Sequence, residues 1–247
     1  DVEQFSAWQL RERQVSAALV TRRLSTLSSF YKWAMKHEIV EADPVYLADK
    51  PKRPLRIPVW LEKEEQQRLE ATLKDRRNIP INIFGDHQAK MTATRRRYEL
   101  LFGLLLNSGL RISEALGLKV SDVRRVDGTA RSVRVIGKGD KERLVPLPEA
   151  FGQVFGFWLK DQPRGEFVFA RAPGQPPASS QAARAYLRGM VQKAGIEKKI
   201  SPHKLRHTYA TNLLNAGAER VDIKALLGHE SIATTQIYTN VGQERME

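Results

Sequence analysis

Ser132-Val-Arg-Val-Ile136, then Gly137-Lys138-Gly139-Asp140, then Lys141-Glu-Arg-Leu-Val-Pro-Leu147 is the stretch on which the fold turns. Its first arm alternates apolar and polar residues, the period of a half-buried strand. Two glycines and an aspartate punctuate the turn, and the second arm returns with the same period, so the stretch reads as a β-hairpin. Phe167-Val-Phe169 reads as a short third strand. Around this small sheet the periodicity is helical. Tyr98 to Leu106 is apolar nearly all round, as a central buried helix is, and stops at Asn107-Ser108-Gly109. Arg111 to Leu116 forms the next short helix, and Leu61-Glu-Lys-Glu-Glu-Gln-Gln-Arg-Leu-Glu70 begins one from strong helix formers. From Gln181 onward the chain is helical again. Residues 75–94 lack a clear period and read as a loop or insertion. The fold class is therefore mainly α with a small antiparallel β-sheet.

Residues 1–49 also read as helical, with Phe5, Trp8 and Leu10 starting one apolar face and Leu24, Leu27, Phe30, Tyr31 and Ala34 another. Then comes Pro51-Lys-Arg-Pro-Leu-Arg-Ile-Pro58, where proline fixes φ and lacks a donor, so the segment is no helix interior. Three parts follow: a helical domain over 1–50, a basic linker over 51–58 and a larger domain over 59–247. With 247 residues, 41% hydrophobic and 28% charged, the chain is outside the collagen, low-complexity and membrane-bundle classes. Its longest apolar stretch, Leu100 to Leu106, falls well short of the ~20 residues a membrane span requires. The absence of cysteine excludes disulfides, thiolate metal sites and cysteine nucleophiles. Lys and Arg total 41 against 28 Asp and Glu, a net charge of +13. Such an excess points to a polyanionic partner, nucleic acid before an anionic membrane surface. It runs through both parts of the chain.

Several polar residues sit where a fold would place something bland. Arg111 follows the glycine that ends the apolar helix. Lys138 sits between two glycines in the hairpin turn. His203 and Arg206 share one face of a helix opened by Pro202, beside an N-terminus that favours anions. His229 follows Leu226-Leu227-Gly228, and Tyr238 lies in Thr234-Thr-Gln-Ile-Tyr-Thr. This set suits a phosphate, because the arginine fork matches phosphate oxygens and keeps its charge at every working pH. No metal or other cofactor is expected: His203 and His207 have i, i+4 spacing, but the metalloprotease glutamate is missing. Taken singly, each has an ordinary reading. Arg111 could be a surface ion pair with Glu114, His207 a structural histidine, Lys138 a solvated turn residue and Tyr238 a core phenol.

Together, four segments in order resemble the tyrosine recombinase family, the phage integrase and Xer-type site-specific recombinases. They are Ser108-Gly-Leu-Arg-Ile-Ser-Glu-Ala-Leu116, the hairpin from Gly137 to Leu147, Pro202-His-Lys-Leu-Arg-His-Thr-Tyr-Ala-Thr211 and Leu226-Leu-Gly-His-Glu-Ser-Ile-Ala-Thr-Thr-Gln-Ile-Tyr238. The resemblance is close over residues 59–241 and looser over 1–58, which are similar to the later part of the family's helical core-binding, SAM-like domain. It implies a two-domain clamp around duplex DNA. It also implies that Tyr238 attacks phosphorus, Arg111 and Arg206 clamp the non-bridging oxygens and His229 adds a donor. His203 would accept the tyrosine proton, Lys138 would protonate the departing 5′ oxygen, and Glu114 would orient. The implied product is a 3′-phosphotyrosine with a free 5′ hydroxyl, formed without metal or ATP.

The implied partners are a double-stranded DNA recombination site and a homotetramer on two such sites, with or without a second recombinase, in the cytoplasm at the nucleoid. DNA contacts are expected from Lys52, Arg53, Arg56, Arg184 and Arg188. Two departures lead to the expectation of a trimmed chain: the family's core-binding domain begins with two more helices, and the tail after Tyr238 is short. The 75–94 stretch looks longer than the family's connection there. Three alternatives stand beside this reading: a type IB topoisomerase-like relaxing activity, a non-catalytic DNA-binding protein and, last of the three, a membrane-surface protein, for which no long basic amphipathic helix is evident.

Overall fold

A computed structural model describes residues 2–49, 51, 58–75, 86–137, 140–160, 162–163 and 165–228, with the backbone alone for 86–92. The chain divides into two compact units, Asp1–Ile57 and Pro58–Glu247.

In the first unit, helices α1 (Val2–Arg11) and α2 (Ala17–Lys36) pack together. The Ser16 side chain caps α2 by accepting the Leu19 N–H. After α2 the Asp43 carboxylate accepts from the Val45 N–H at 2.9 Å and from the Ser28 hydroxyl at 2.6 Å, tying the following turn to the helix. Val20, Leu24 and Val45 form the buried centre, with Val2, Phe5, Val15, Leu27 and Tyr31 packed around it. So small a core covers one stripe of each helix, and Trp8, Leu10 and Phe30 lie exposed outside it. Of the faces read from spacing, Phe5, Leu24, Leu27, Tyr31 and Ala34 do turn inward, and only Trp8, Leu10 and Phe30 are corrected. Helix also stops earlier than expected: α2 ends at Lys36, Glu38 takes a left-handed φ of +57°, and the Ile39 N–H turns back to the Ala34 carbonyl at 2.9 Å, so the chain runs on through turns.

The second unit is built on α4 (Asp86–Ser108), whose segment from Tyr98 to Leu106 is buried nearly throughout. Around it pack α3 (Lys63–Lys74), α5 (Ile112–Gly117), α6 (Glu149–Trp158), α7 (Ser180–Lys193) and α8 (Pro202–Asn215). Tyr98 stacks on Tyr186 of α7 with ring centroids 4.3 Å apart. The last described helix, α9 (Arg220–Leu227), packs on α8 and on the sheet.

The sheet is antiparallel in the order β1 (Val123–Val126), β2 (Thr129–Ile136), β3 (Glu142–Pro146). Val133 faces Val145 across β2 and β3, and the period-two alternation buries Val133, Val135 and Val145 on one face. Helix α6 lies against β2 through two glycines one turn apart. A Cβ at Gly152 would stand 2.2 Å from the Ala130 carbonyl oxygen, and one at Gly156 would stand 1.9 Å from that of Gly128.

Two expectations are corrected. The third strand is Val123–Val126, not Phe167-Val-Phe169. The latter run makes an isolated bridge between Phe167 and Lys119, and it is held by burial of Val168 and Phe169 and by the Val168 N–H on the Leu118 carbonyl at 2.9 Å. The stretch 75–94 is no continuous loop, since α4 already runs from Asp86. Gln88, Ala89, Lys90 and Met91 carry helix propensity without an apolar period, and propensity prevails there. Residues 76–85 and 52–57, which hold most of the expected linker, lie outside the described residues. No described helix is long and apolar enough to cross a membrane.

Candidate active site

The site begins at the glycine that ends α4. Gly109 has φ of +61°, a left-handed conformation, and a Cβ there would meet the Tyr209 ring at 2.4 Å. Glycine thus lets the chain turn tightly into α5 against α8. Arg111 precedes the first turn of α5, and its backbone N–H donates to the Glu114 carboxylate at 2.8 Å. The Arg111 guanidinium donates to the same carboxylate at 2.8 Å. The ion-pair reading and the orienting reading of Glu114 therefore describe one geometry, in which the arginine side chain is 43% exposed and the glutamate 8%.

A third participant was not singled out in the sequence. Arg143 of β3 meets Glu114 with both terminal nitrogens, Nη2 at 2.8 Å and Nη1 at 3.3 Å, and its Nε donates to the Leu226 carbonyl at 3.0 Å. The signal that could have found it is alternation: Arg143 shares the inward register of β3 with Val145, where a cation needs a partner. Burial alone would raise the Glu114 pKa. The hydrogen bonds from Arg143 and from the Arg111 backbone and side chain outweigh it and hold the carboxyl below its ordinary value.

Arg206 comes from the first turns of α8, which Pro202 opens at a position where its missing N–H costs nothing. The side chain is fully buried, donating from Nη1 to the Gly109 carbonyl at 2.7 Å and from Nη2 to the Leu227 carbonyl at 2.5 Å. Helix α9 ends on Gly228, which has φ of +63°. Its last carbonyls, Leu226 and Leu227, are thus met by Arg143 and Arg206, two cations at the negative end of a helix.

His203 lies on the same helix as Arg206, its ring edge-on to His207 with centroids 4.5 Å apart. The residue reaches solvent, yet the packed part of the ring loses hydration, and the charges of Arg206 and Arg111 oppose a further proton. Its pKa is lowered from the usual histidine value. The ring is therefore neutral near pH 7 and able to accept a proton.

The structure thus gathers Arg111, Glu114, His203 and Arg206 into one neighbourhood and adds Arg143. Lys138, His229 and Tyr238 lie outside the described residues, as do Lys52, Arg53 and Arg56. Lys138 falls in sequence between β2 and β3, and His229 directly follows the Gly228 cap. Arg184 and Arg188 are exposed on α7, whose inward side carries Ala183, Leu187, Met190 and Val191. Arg188 also lines an open cleft of about 800 Å³ with Lys198, Lys199 and Ser201. No group of residues able to hold a metal ion occurs among the described residues.

Residues 60–245 match the phage integrase family. Tyrosine recombinase XerC of Halalkalibacterium halodurans is 34% identical over 250 residues, covering 96% of this chain and 76% of the relative. Tyrosine recombinase XerD of Ralstonia nicotianae is 35% identical over 260 residues, covering 100% and 76%. Among solved structures, XerA recombinase superposes with a TM-score of 0.57 at 27% identity, covering 97% of this chain and 76% of the other. XerH recombinase bound to a palindromic difH substrate, a post-cleavage complex, superposes at 0.76 with 21% identity over 100% and 70%, a likeness of fold. The chain belongs to the phage integrase family of tyrosine recombinases. It is an enzyme of site-specific DNA recombination, and neither the topoisomerase-like nor the non-catalytic reading is favoured.

Proposed function

We propose that this chain cuts and rejoins duplex DNA at a defined site through a 3′-phosphotyrosine on Tyr238, with Arg111, Lys138, His203, Arg206 and His229 as its catalytic set. The observation that carries this reading is the meeting of Arg111, Arg206 and a neutral His203 around the Gly109 turn. A phosphodiester resists attack because its charge repels nucleophiles and its alkoxide leaves poorly. The two arginines oppose the charge that builds on the non-bridging oxygens, a form of stabilisation realised in the transition state. A phenol of pKa about 10 needs a proton acceptor to attack at neutral pH, and the neutral His203 imidazole supplies one. Lys138 gives a proton to the 5′ oxygen as the bond breaks, and His229 donates to the phosphate. The energy of the broken bond is kept in the covalent link, so rejoining requires no ATP.

In this reading residues 1–50 act as the core-binding part, 51–58 as a linker with Lys52, Arg53 and Arg56 on phosphates, and 59–247 as the catalytic domain. Arg184 and Arg188 on α7 contact the DNA. Exchange of two pairs of strands calls for a homotetramer on two sites, working in the cytoplasm at the nucleoid.

The test is recovery of DNA covalently attached to the protein from cells expressing it, with sequencing of the attached ends. The expected result is one sequence, joined through its 3′ phosphate, and none from Tyr238→Phe. Attached DNA from Tyr238→Phe removes the nucleophile, and ends scattered at random remove the site specificity.

A further inference from the structure

We infer that Arg143 is a positioning residue for strand cleavage, the counter-ion that occupies Glu114 so that Arg111 keeps its charge for the phosphate. The inference rests on the reading of Arg111 as a phosphate clamp. Glu114 is a carboxylate with an 8% exposed side chain, touching two guanidinium groups at 2.8 Å. The two arginines are not equivalent. Arg143 is 13% exposed and is fastened elsewhere, its Nε on the Leu226 carbonyl. Arg111 is 43% exposed and holds Glu114 through Nη1, at the open side of the group.

Two cations on one anion leave a net charge of +1, and the geometry puts it at the exposed arginine. Without Arg143 the balance becomes one to one. A poorly hydrated carboxylate then takes Arg111 as its sole strong partner, and the guanidinium that should meet a scissile phosphate is both neutralised and held back. Arg143 also joins the turn-side end of β3, five residues after Lys138 in sequence, to the end of α9, which His229 follows. One side chain thereby links the segments that hold three members of the proposed catalytic set.

This role predicts a charge-specific rescue that a packing role does not. Cleavage is measured in single turnover with the full chain, on a nicked duplex bearing the site recovered from protein-linked DNA, at saturating protein. Arg143→Ala is expected to slow covalent adduct formation about 10²-fold, the usual loss for a disabled phosphate or oxyanion donor. Adding Glu114→Gln removes the uncompensated anion, and the double variant is expected to recover about tenfold over Arg143→Ala alone. Arg143→Lys, which keeps the charge but loses the fork, is expected within about tenfold of the unmodified chain. Melting temperature and DNA affinity are followed in parallel. If Arg143→Ala does not fold, Arg143→Gln replaces it, and a Gln variant as fast as Arg143→Lys overturns the inference. So does a double variant slower than, or equal to, the single one. Absence of any adduct from the unmodified chain strikes instead at the proposed function, so the two failures are distinguishable.

Discussion

Arg206 is the residue whose loss the fold should feel most directly. Its guanidinium is buried and spans two backbone carbonyls that have no solvent to turn to, at Gly109 and at Leu227. Truncation leaves those acceptors unmet and opens a void between α8 and the Gly109 turn. Arg206→Ala is expected to destabilise the larger unit by about 3 kcal/mol, a fall in melting temperature of roughly 6–12 °C by calorimetry. A shift below about 2 °C would mean the carbonyls find other donors. His203 acts through protons instead. Its folded pKa lies below its unfolded value, so between the two the unfolded chain binds more protons and stability falls as pH drops. Its unfavourable share is absent above about pH 6.5 and grows below it. His203→Gln is therefore expected to lose less melting temperature than the unmodified chain between pH 7.5 and 5.5. An equal loss would place the acid sensitivity elsewhere. The same shift means that cleavage at subsaturating DNA, which reports the free enzyme, keeps its acid limb below about pH 6.5. Arg111, His203 and Arg206 were legible in the sequence because each stands beside a structural punctuation mark, a glycine turn or a proline-opened helix. Arg143 was not, because strand alternation marks which face is buried without naming the carboxylate that waits there.

At the scale of elements, the hairpin and the core segment of α4 were legible for the same reason: a strong period and a clear stop. Where period and propensity part, legibility fails. The first turns of α4 have propensity and no apolar period, whereas Phe167-Val-Phe169 is apolar enough for a strand but reaches the core without a strand partner. The packing of α6 on the sheet shows an approach that no pattern announces. Gly152 and Gly156 let a helix touch the β2 backbone and its preceding turn, and in sequence they look like poor helix formers. Gly156→Ala is expected to cost about 3 kcal/mol, since its methyl would overlap a backbone carbonyl oxygen. Gly117→Ala, with open space around the added carbon, is expected within about 0.5 kcal/mol of the unmodified chain. Chemical denaturation of the two variants checks the pair. Equal midpoints would show that α6 slides away from the sheet rather than resisting the methyl.

For the molecule as a whole the governing quantity is a net charge of +13, shared as +3 over residues 1–58 and +10 over 59–247. Cations that neutralise phosphates release condensed counterions, and affinity for duplex DNA should fall linearly in log–log form with salt. With about 6–10 phosphate contacts the loss between 50 and 200 mM salt is roughly 10³- to 10⁵-fold. The slope also separates what individual arginines do. Arg184 and Arg188 are exposed on α7, where they could meet either phosphates or base edges. If the arginine meets a phosphate, Arg184→Gln or Arg188→Gln lowers the slope by about 0.9 and weakens binding on every sequence alike. If it meets a base edge, the same substitution leaves that component of the slope in place. The gap between the recombination site and unrelated DNA then narrows by about 1–3 kcal/mol. Fluorescence anisotropy on both duplexes across a salt series reads the two quantities together. Unchanged slope with unchanged discrimination in both variants would remove α7 from the interface and leave its arginines as solvated surface.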